Sequence, residues 1–187
     1  MSTRSWLLSA FDPFLNRPAN HSMLVLDAIL KLNRDPALKI YTVLLPTEYD
    51  RCEGVLLAEI EKLKTQGVSL AGVLSIGEGR EDFVIETQAN NLDHSAQEDN
   101  VGIVRTQQKI FQNRDDILKL DFPVDRFKIQ QSLSPGFFVC NHLCARMTVA
   151  REKDPSIPVF GFVHVPRHDL THKFSTEDCA RSILAGL

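Results

Sequence analysis

No stretch of this sequence stays apolar long enough to cross a bilayer, which takes about 20 consecutive apolar residues in a helix. Basic clusters are missing as well. The 21 Lys and Arg are scattered among 24 Asp and Glu, for a net charge of −3, so no positive stripe exists to hold a phosphate backbone. Near the start, Trp6-Leu7-Leu8-Ser9-Ala10 is too short for the apolar core of a signal peptide and runs straight into a structured motif. No internal repeat, low-complexity tract or linker divides the chain. These absences lead us to expect a cytoplasmic protein with neither a membrane nor a nucleic acid as partner; assembly into a homo-oligomer stays open.

What is present is ordinary globular material. The chain has 187 residues, 43% hydrophobic and 24% charged, enough for a single α/β domain over residues 1–187 with a substantial core. The four cysteines, Cys52, Cys140, Cys144 and Cys179, carry no secretory context and are expected as free thiols. Cys52 and Cys179 fall on predicted helices and read as packing residues.

Periodicity orders the rest. Ser5–Ala10, Lys39–Leu45, Ala71–Ile76 and Val159–Val165 read as strands. Ser22–Asn33, Glu48–Gln66, Cys140–Lys153 and Ser175–Leu187 read as helices, the second with Gly67 as its C-cap and the last opened by Ser-Thr-Glu-Asp. Gly77 to Arg80 reads as a turn, Phe83–Leu92 as an extended segment carrying Glu86, and Asp93–Arg114 as a long polar loop. Strand and helix alternate, which predicts a three-layer α/β/α fold with a largely parallel, mixed central sheet.

Chemistry concentrates at Phe137-Phe138-Val139-Cys140-Asn141-His142. The apolar run predicts a short strand ending at a helix start, where the helix dipole favours thiolate over thiol. The strand ending in His164 offers a base, and active sites of open α/β sheets gather at strand carboxyl ends. Alone, either residue reads as structural: a cysteine in an apolar run is usually core, and a strand histidine is usually just hydrogen-bonded. Paired, they point to a cysteine hydrolase. A metal site is the competing reading, because His164, His168 and His172 are spaced by four and Cys140 and Cys144 repeat that spacing. Pro166 and the β-prone run before it predict that His164 ends a strand, so the histidines do not share a helical face. We therefore expect no metal and no cofactor.

Four blocks, in order, carry a resemblance. Ser9-Ala10-Phe11-Asp12-Pro13-Phe14, with Asn20 and Ser22 following, is similar to the opening of the pyroglutamyl peptidase I (pyrrolidone-carboxylate peptidase) family. Gly79-Arg80 with Glu86, Ala89, Asn91 and Leu92 is similar to that family's second block, Ser134 to His142 to its cysteine block, and Gly161 to Pro166 to its histidine block. The resemblance implies a cysteine peptidase that removes an N-terminal pyroglutamyl group from small peptides through a thioester. It implies Cys140 as nucleophile, His164 as general base and acid, and Glu86 as the group orienting His164. It also implies that Phe11, Phe14 and Phe138 enclose the lactam ring, with Asn20 in support. A neutral lactam has no amine for a carboxylate to hold, so a flat apolar slot suits it.

The chain departs from that pattern at four places. Ser75-Ile76-Gly77-Glu78-Gly79-Arg80 puts Ile76 and Glu78 where the family has glutamine and glycine; Leu15-Asn16 replaces a glycine pair; Ala96 stands where many bacterial members have an arginine; and Phe122 to Gln131 is too short for the usual helix before the cysteine block. The alternative is a relative that takes another blocked N-terminus, or that only binds a peptide or partner.

Overall fold

A computed structural model, describing residues 3–79, 81–167 and 173–187, gives the order β1 (Arg4–Phe11), α1 (His21–Leu32), β2 (Leu38–Leu45), α2 (Cys52–Thr65), β3 (Leu70–Glu78), β4 (Val84–Glu86), β5 (Gln88–Asn90), β6 (Asp93–Ser95), β7 (Arg105–Gln108), β8 (Ile117–Lys119), β9 (Gln130–Ser132), α3 (Val139–Lys153), β10 (Phe160–Val165) and α4 (Thr176–Leu184). Six strands form the central sheet in the order β2-β1-β3-β10-β4-β9. Every pairing in it is parallel except β10 with β4, which makes the sheet mixed and mostly parallel.

The period-2 alternation of a strand sorts side chains between two cores. Trp6, Leu8, Ala10, Leu74, Ile76, Val163 and Val165 face α1 and α4 and pack with Val25, Ile29, Ala180 and Ile183. Leu7, Phe11, Val73, Phe160 and Phe162 point the other way, onto Leu56, Ile60, Leu143 and Met147 of α2 and α3. By the same alternation, Gly77, Glu86 and His164 fall on the face that carries α3. Helices thus cover both faces of the sheet, as the strand–helix alternation predicts.

Some local expectations shift. The second helix begins at Cys52 rather than Glu48, because the Tyr49 amide donates to the Asp99 carboxylate instead of entering a helix. Gly67 does close it, at φ +76°. Ser175 and Asp178 form a full capping box, but α4 stops at Leu184. Gly77 and Glu78 are not a turn; they extend β3 alongside His164 and Val165 of β10. Arg80, His168 and His172 lie outside the described residues. The extended segment splits, with β4 entering the main sheet and β5 pairing antiparallel with β8. Inside the supposed loop, β6 and β7 form an antiparallel pair.

The short stretch before the cysteine block holds no α-helix, only a 3-10 turn at Val124–Arg126 and the start of β9. Phe122, Phe127 and Ile129 nevertheless join the core on the α1 and α4 face. Phe122 packs edge-on to Trp6, 6.2 Å between ring centroids, and lies so close over Gly161 that a Cβ there would come within 2.6 Å of its ring. Large rings against a side-chain-free strand position cover the sheet with little chain.

Candidate active site

Phe137 and Phe138 form no strand. Residues 137 and 138 are irregular, Phe138 is the N-cap residue of α3, and Cys140 sits in that helix's first turn. No side chain caps this helix, so its first backbone amides remain available as donors beside the cysteine. The sulfur reaches the sheet at Gly77, where a Cβ would lie 2.9 Å from it and 2.6 Å from the Phe162 ring. Only a residue without a side chain lets the helix start come this close.

His164, near the end of β10, meets Cys140 from the sheet side. Its Nδ1 donates to Glu86 Oε1 at 2.8 Å, and the ring shares the cavity with the Cys140 sulfur, which lies beside Gly77, the residue paired with His164 across the sheet. With Nδ1 held by the carboxylate, Nε2 is the nitrogen left for sulfur. Glu86 ends β4, the strand antiparallel to β10, and is 1% exposed. Burial alone pushes the imidazole pKa down, but the hydrogen bonds and charges of Cys140 and Glu86 outweigh it and raise the ring from 6.5 to about 10. The imidazolium is therefore the resting form of His164 near neutral pH. The three residues expected to act together are brought together.

The other cysteines are of another kind. Cys144, one turn along α3, is fully buried, and desolvation holds its thiol well above the ordinary range. Burial likewise pushes Cys52 up and takes Cys179 to about 12. His164 lies in a strand, so it shares no helical face with the Cys140–Cys144 pair of α3; His168 and His172 lie outside the described residues.

A cavity of about 650 Å³ opens over Cys140 and His164, with Phe14 and Phe138 in its wall at 6.1 Å between centroids. Phe11 and Asn20 are not part of that wall. Phe11 is 2% exposed and packs behind it on Phe162, 6.3 Å away. Asn20 caps α1, accepting from the Ser22 amide and hydroxyl, and its Nδ2 donates to the Asp12 carbonyl. It fixes the turn that carries Phe14 rather than facing the cavity. Glu78 does line the cavity: one carboxylate oxygen pairs with Arg17 at 2.6 Å and the other accepts the His21 amide at 2.7 Å. The Arg17 guanidinium in turn stacks 4.6 Å from the Phe14 ring.

Sequence reasoning missed a second charged cluster on the other side of Cys140. His142 Nδ1 lies 2.8 Å from Asp93 Oδ2, which also accepts from Arg105 Nη1 at 3.0 Å. Arg105 lies over the Tyr49 ring at 4.5 Å, and Tyr49 meets both Phe138 and His142 edge-on at 5.5 Å. Position 96 carries no guanidinium; one reaches the Cys140 helix from β7 instead. The usable signal was Asp93 and Arg105 at opposite ends of a polar stretch, as a cross-strand ion pair requires.

Among known proteins, a family model described as pyroglutamyl peptidase matches residues 4–173. The chain is 32% identical to pyrrolidone-carboxylate peptidase 1 of Saccharolobus solfataricus, over 87% of its own length and 79% of that protein's. It is 29% identical to the pyrrolidone-carboxylate peptidase of Finegoldia magna, over 86% and 77%. The solved pyroglutamyl peptidase I of Bacillus amyloliquefaciens has the same fold, with a TM-score of 0.81 at 23% identity over 98% of this chain and 94% of that one. So does the pyrrolidone carboxyl peptidase of Thermococcus litoralis, with a TM-score of 0.80 at 19% identity over 98% and 91%. Among the described residues no helix is long and apolar enough to cross a membrane. A family model that spans nearly the whole chain, together with relatives about a third identical and a shared fold, settles descent: the chain belongs to the pyroglutamyl peptidase family.

Proposed function

We propose that this protein is a cysteine peptidase that removes an N-terminal pyroglutamyl residue from peptides, with Cys140 as nucleophile, His164 as base and acid, and Glu86 orienting His164. The observation that carries this reading is the Glu86 carboxylate bonded to His164 Nδ1 at 2.8 Å, with the His164 ring and the Cys140 sulfur lining one cavity beside Gly77. Each member has one task. Glu86 fixes the ring orientation and stabilises its positive form. The imidazolium keeps sulfur as thiolate, which attacks the carbonyl of the pyroglutamyl residue. The amides at the uncapped start of α3 donate to the oxyanion that forms. His164 then gives its proton to the leaving amine, takes one from water, and the resulting hydroxide equivalent releases pyroglutamate from the thioester.

The wall at Phe14 and Phe138 supports the specificity. It presents flat apolar surface beside the thiol. A cavity of about 650 Å³ exceeds one small ring, leaving room for the residues of the departing peptide. Turnover of a pyroglutamyl amide reporter, its loss on iodoacetamide treatment, and poor turnover of an acetyl-alanyl amide form the test. Equal rates on the two amides sink the lactam reading, and turnover that survives full alkylation of Cys140 sinks the nucleophile.

A further inference from the structure

The cluster around Arg105 lies outside the line of residues that performs the chemistry, yet it touches every part that must hold still around it. Asp93 is 0% exposed and takes a hydrogen bond from Arg105 on the facing strand while holding the His142 ring. His142 lies two residues after Cys140 in the first turn of α3. Arg105 also reaches Asp50 and stacks over Tyr49, whose edge meets Phe138, the cavity wall. One guanidinium thus joins the β6–β7 pair, the nucleophile's helix and the aromatic wall.

The cluster is poorly built for stability alone. Asp93 Oδ1 and Tyr49 Oη are buried without a protein hydrogen-bond partner. Unpaired buried polar atoms are destabilising, and a buried ion pair is commonly matched or bettered by apolar packing of the same volume. What such a cluster does supply is a fixed geometry: a planar fork on a carboxylate and a flat cation on a ring define both distance and angle.

We propose that Arg105 is a positioning residue for substrate, acting through Tyr49 on the Phe138 wall and through Asp93 and His142 on the start of α3. It sets where the ring of the substrate lies relative to the sulfur, not how reactive the sulfur is. This inference rests on the functional reading above and assigns the specificity of that site a control element on β7.

The experiment compares wild type with Arg105→Met and Arg105→Lys. Two quantities are read: kcat and KM on a pyroglutamyl amide, and the rate of Cys140 alkylation by iodoacetamide across pH. Iodoacetamide needs the thiolate but not the wall. Arg105→Met should lose about ten- to a hundredfold in kcat/KM, mainly through KM, with alkylation rate and pH profile within about twofold of wild type. Arg105→Lys keeps the charge but not the fork, and should recover part of the loss. Wild-type kcat/KM in Arg105→Met overturns the inference. So does alkylation falling in step with turnover, which would make Arg105 a thiolate-stabilising charge, and so does loss of cooperative melting in both variants, which would make it structural only. A wild type that alkylates at Cys140 but does not cleave the pyroglutamyl amide overturns the functional reading, and this inference with it.

Discussion

Two carboxylate–histidine pairs flank Cys140 at the same separation, 2.8 Å for Glu86 with His164 and 2.8 Å for Asp93 with His142. Both carboxylates are buried, and both histidines bond through Nδ1. The third partner separates them. His164 offers its remaining face to sulfur, whereas Asp93 shares its bonded oxygen with the Arg105 guanidinium. A carboxylate–imidazole pair is therefore a general device for fixing a ring. A thiol beyond the ring turns it toward proton transfer, and an arginine behind the carboxylate turns it toward holding parts in place.

Substitutions can break this contrast at each partner. Removing the thiol has the largest effect: Cys140→Ala should lower kcat by roughly 10⁵-fold or more while leaving the melting transition cooperative. It also takes away the leading upward influence on His164, so the ring, held at about 10 in the intact site, should titrate at lower pH in the variant, read by NMR. Because that folded-state value lies above 6.5, the stability His164 contributes is complete below pH 6.5 and is lost as pH rises through about 10. In Cys140→Ala the alkaline loss should begin earlier; an unchanged titration would detach the ring from the sulfur.

Exchanging the carboxylates for amides comes next. Glu86→Gln should cost on the order of 10³-fold in kcat, since the tautomer and the positive ring lose their support. Asp93→Asn should leave kcat within about tenfold, raise KM, and lower stability by about 3 kcal/mol as Arg105 and His142 lose a buried anion. Equal kcat losses in steady-state assays would erase the distinction between the two pairs.

The phenylalanines sharpen the contrast between wall and core. Phe14→Ala should lose about ten- to two-hundredfold in kcat/KM with little change in melting. Phe11→Ala should instead cost about 3–5 kcal/mol in denaturant unfolding, because it empties buried space behind the wall. Asn20→Ala is the mildest: loss of the α1 cap should lower stability by about 1 kcal/mol, and a selective rise in KM with no stability change would return Asn20 to the substrate.

Cys140 and His164, the residues proposed to react, were legible in the sequence because each sits near the end of a well-patterned element. His164 closes an apolar strand, and Cys140 opens a helix that Asp154-Pro155 ends. Phe11 and Phe14 could not be told apart, since a motif gives order along the chain and not where β1 ends; Phe11 is its last residue and the alternation Leu7, Ser9, Phe11 buries that ring, whereas Phe14 follows in the turn. Phe137-Phe138 looked like a strand because aromatic residues favour one. It joins no strand ladder; the His94 amide donates to the Phe137 carbonyl, and both rings line the cavity. The β6–β7 pair was illegible for the opposite reason. Arg105–Gln108 is mostly exposed and polar, so no alternation marks it, and it is held through charge at Asp93 rather than by an apolar face.

The unequal fates of the four thiols imply a particular response to oxidants. Cys140, open to the cavity and facing an imidazolium, is the sulfur that peroxide would reach first, giving a sulfenic acid. A sulfenic acid is rescued when a neighbouring thiolate closes a disulfide on it. Cys144 and Cys52, the electrostatic neighbours of Cys140 inside the fold, are kept as thiols by burial and make poor rescuers. Damage at Cys140 therefore tends to run on to the irreversible sulfinic acid, and the same arrangement that leaves one thiol ready for catalysis leaves it without a reserve.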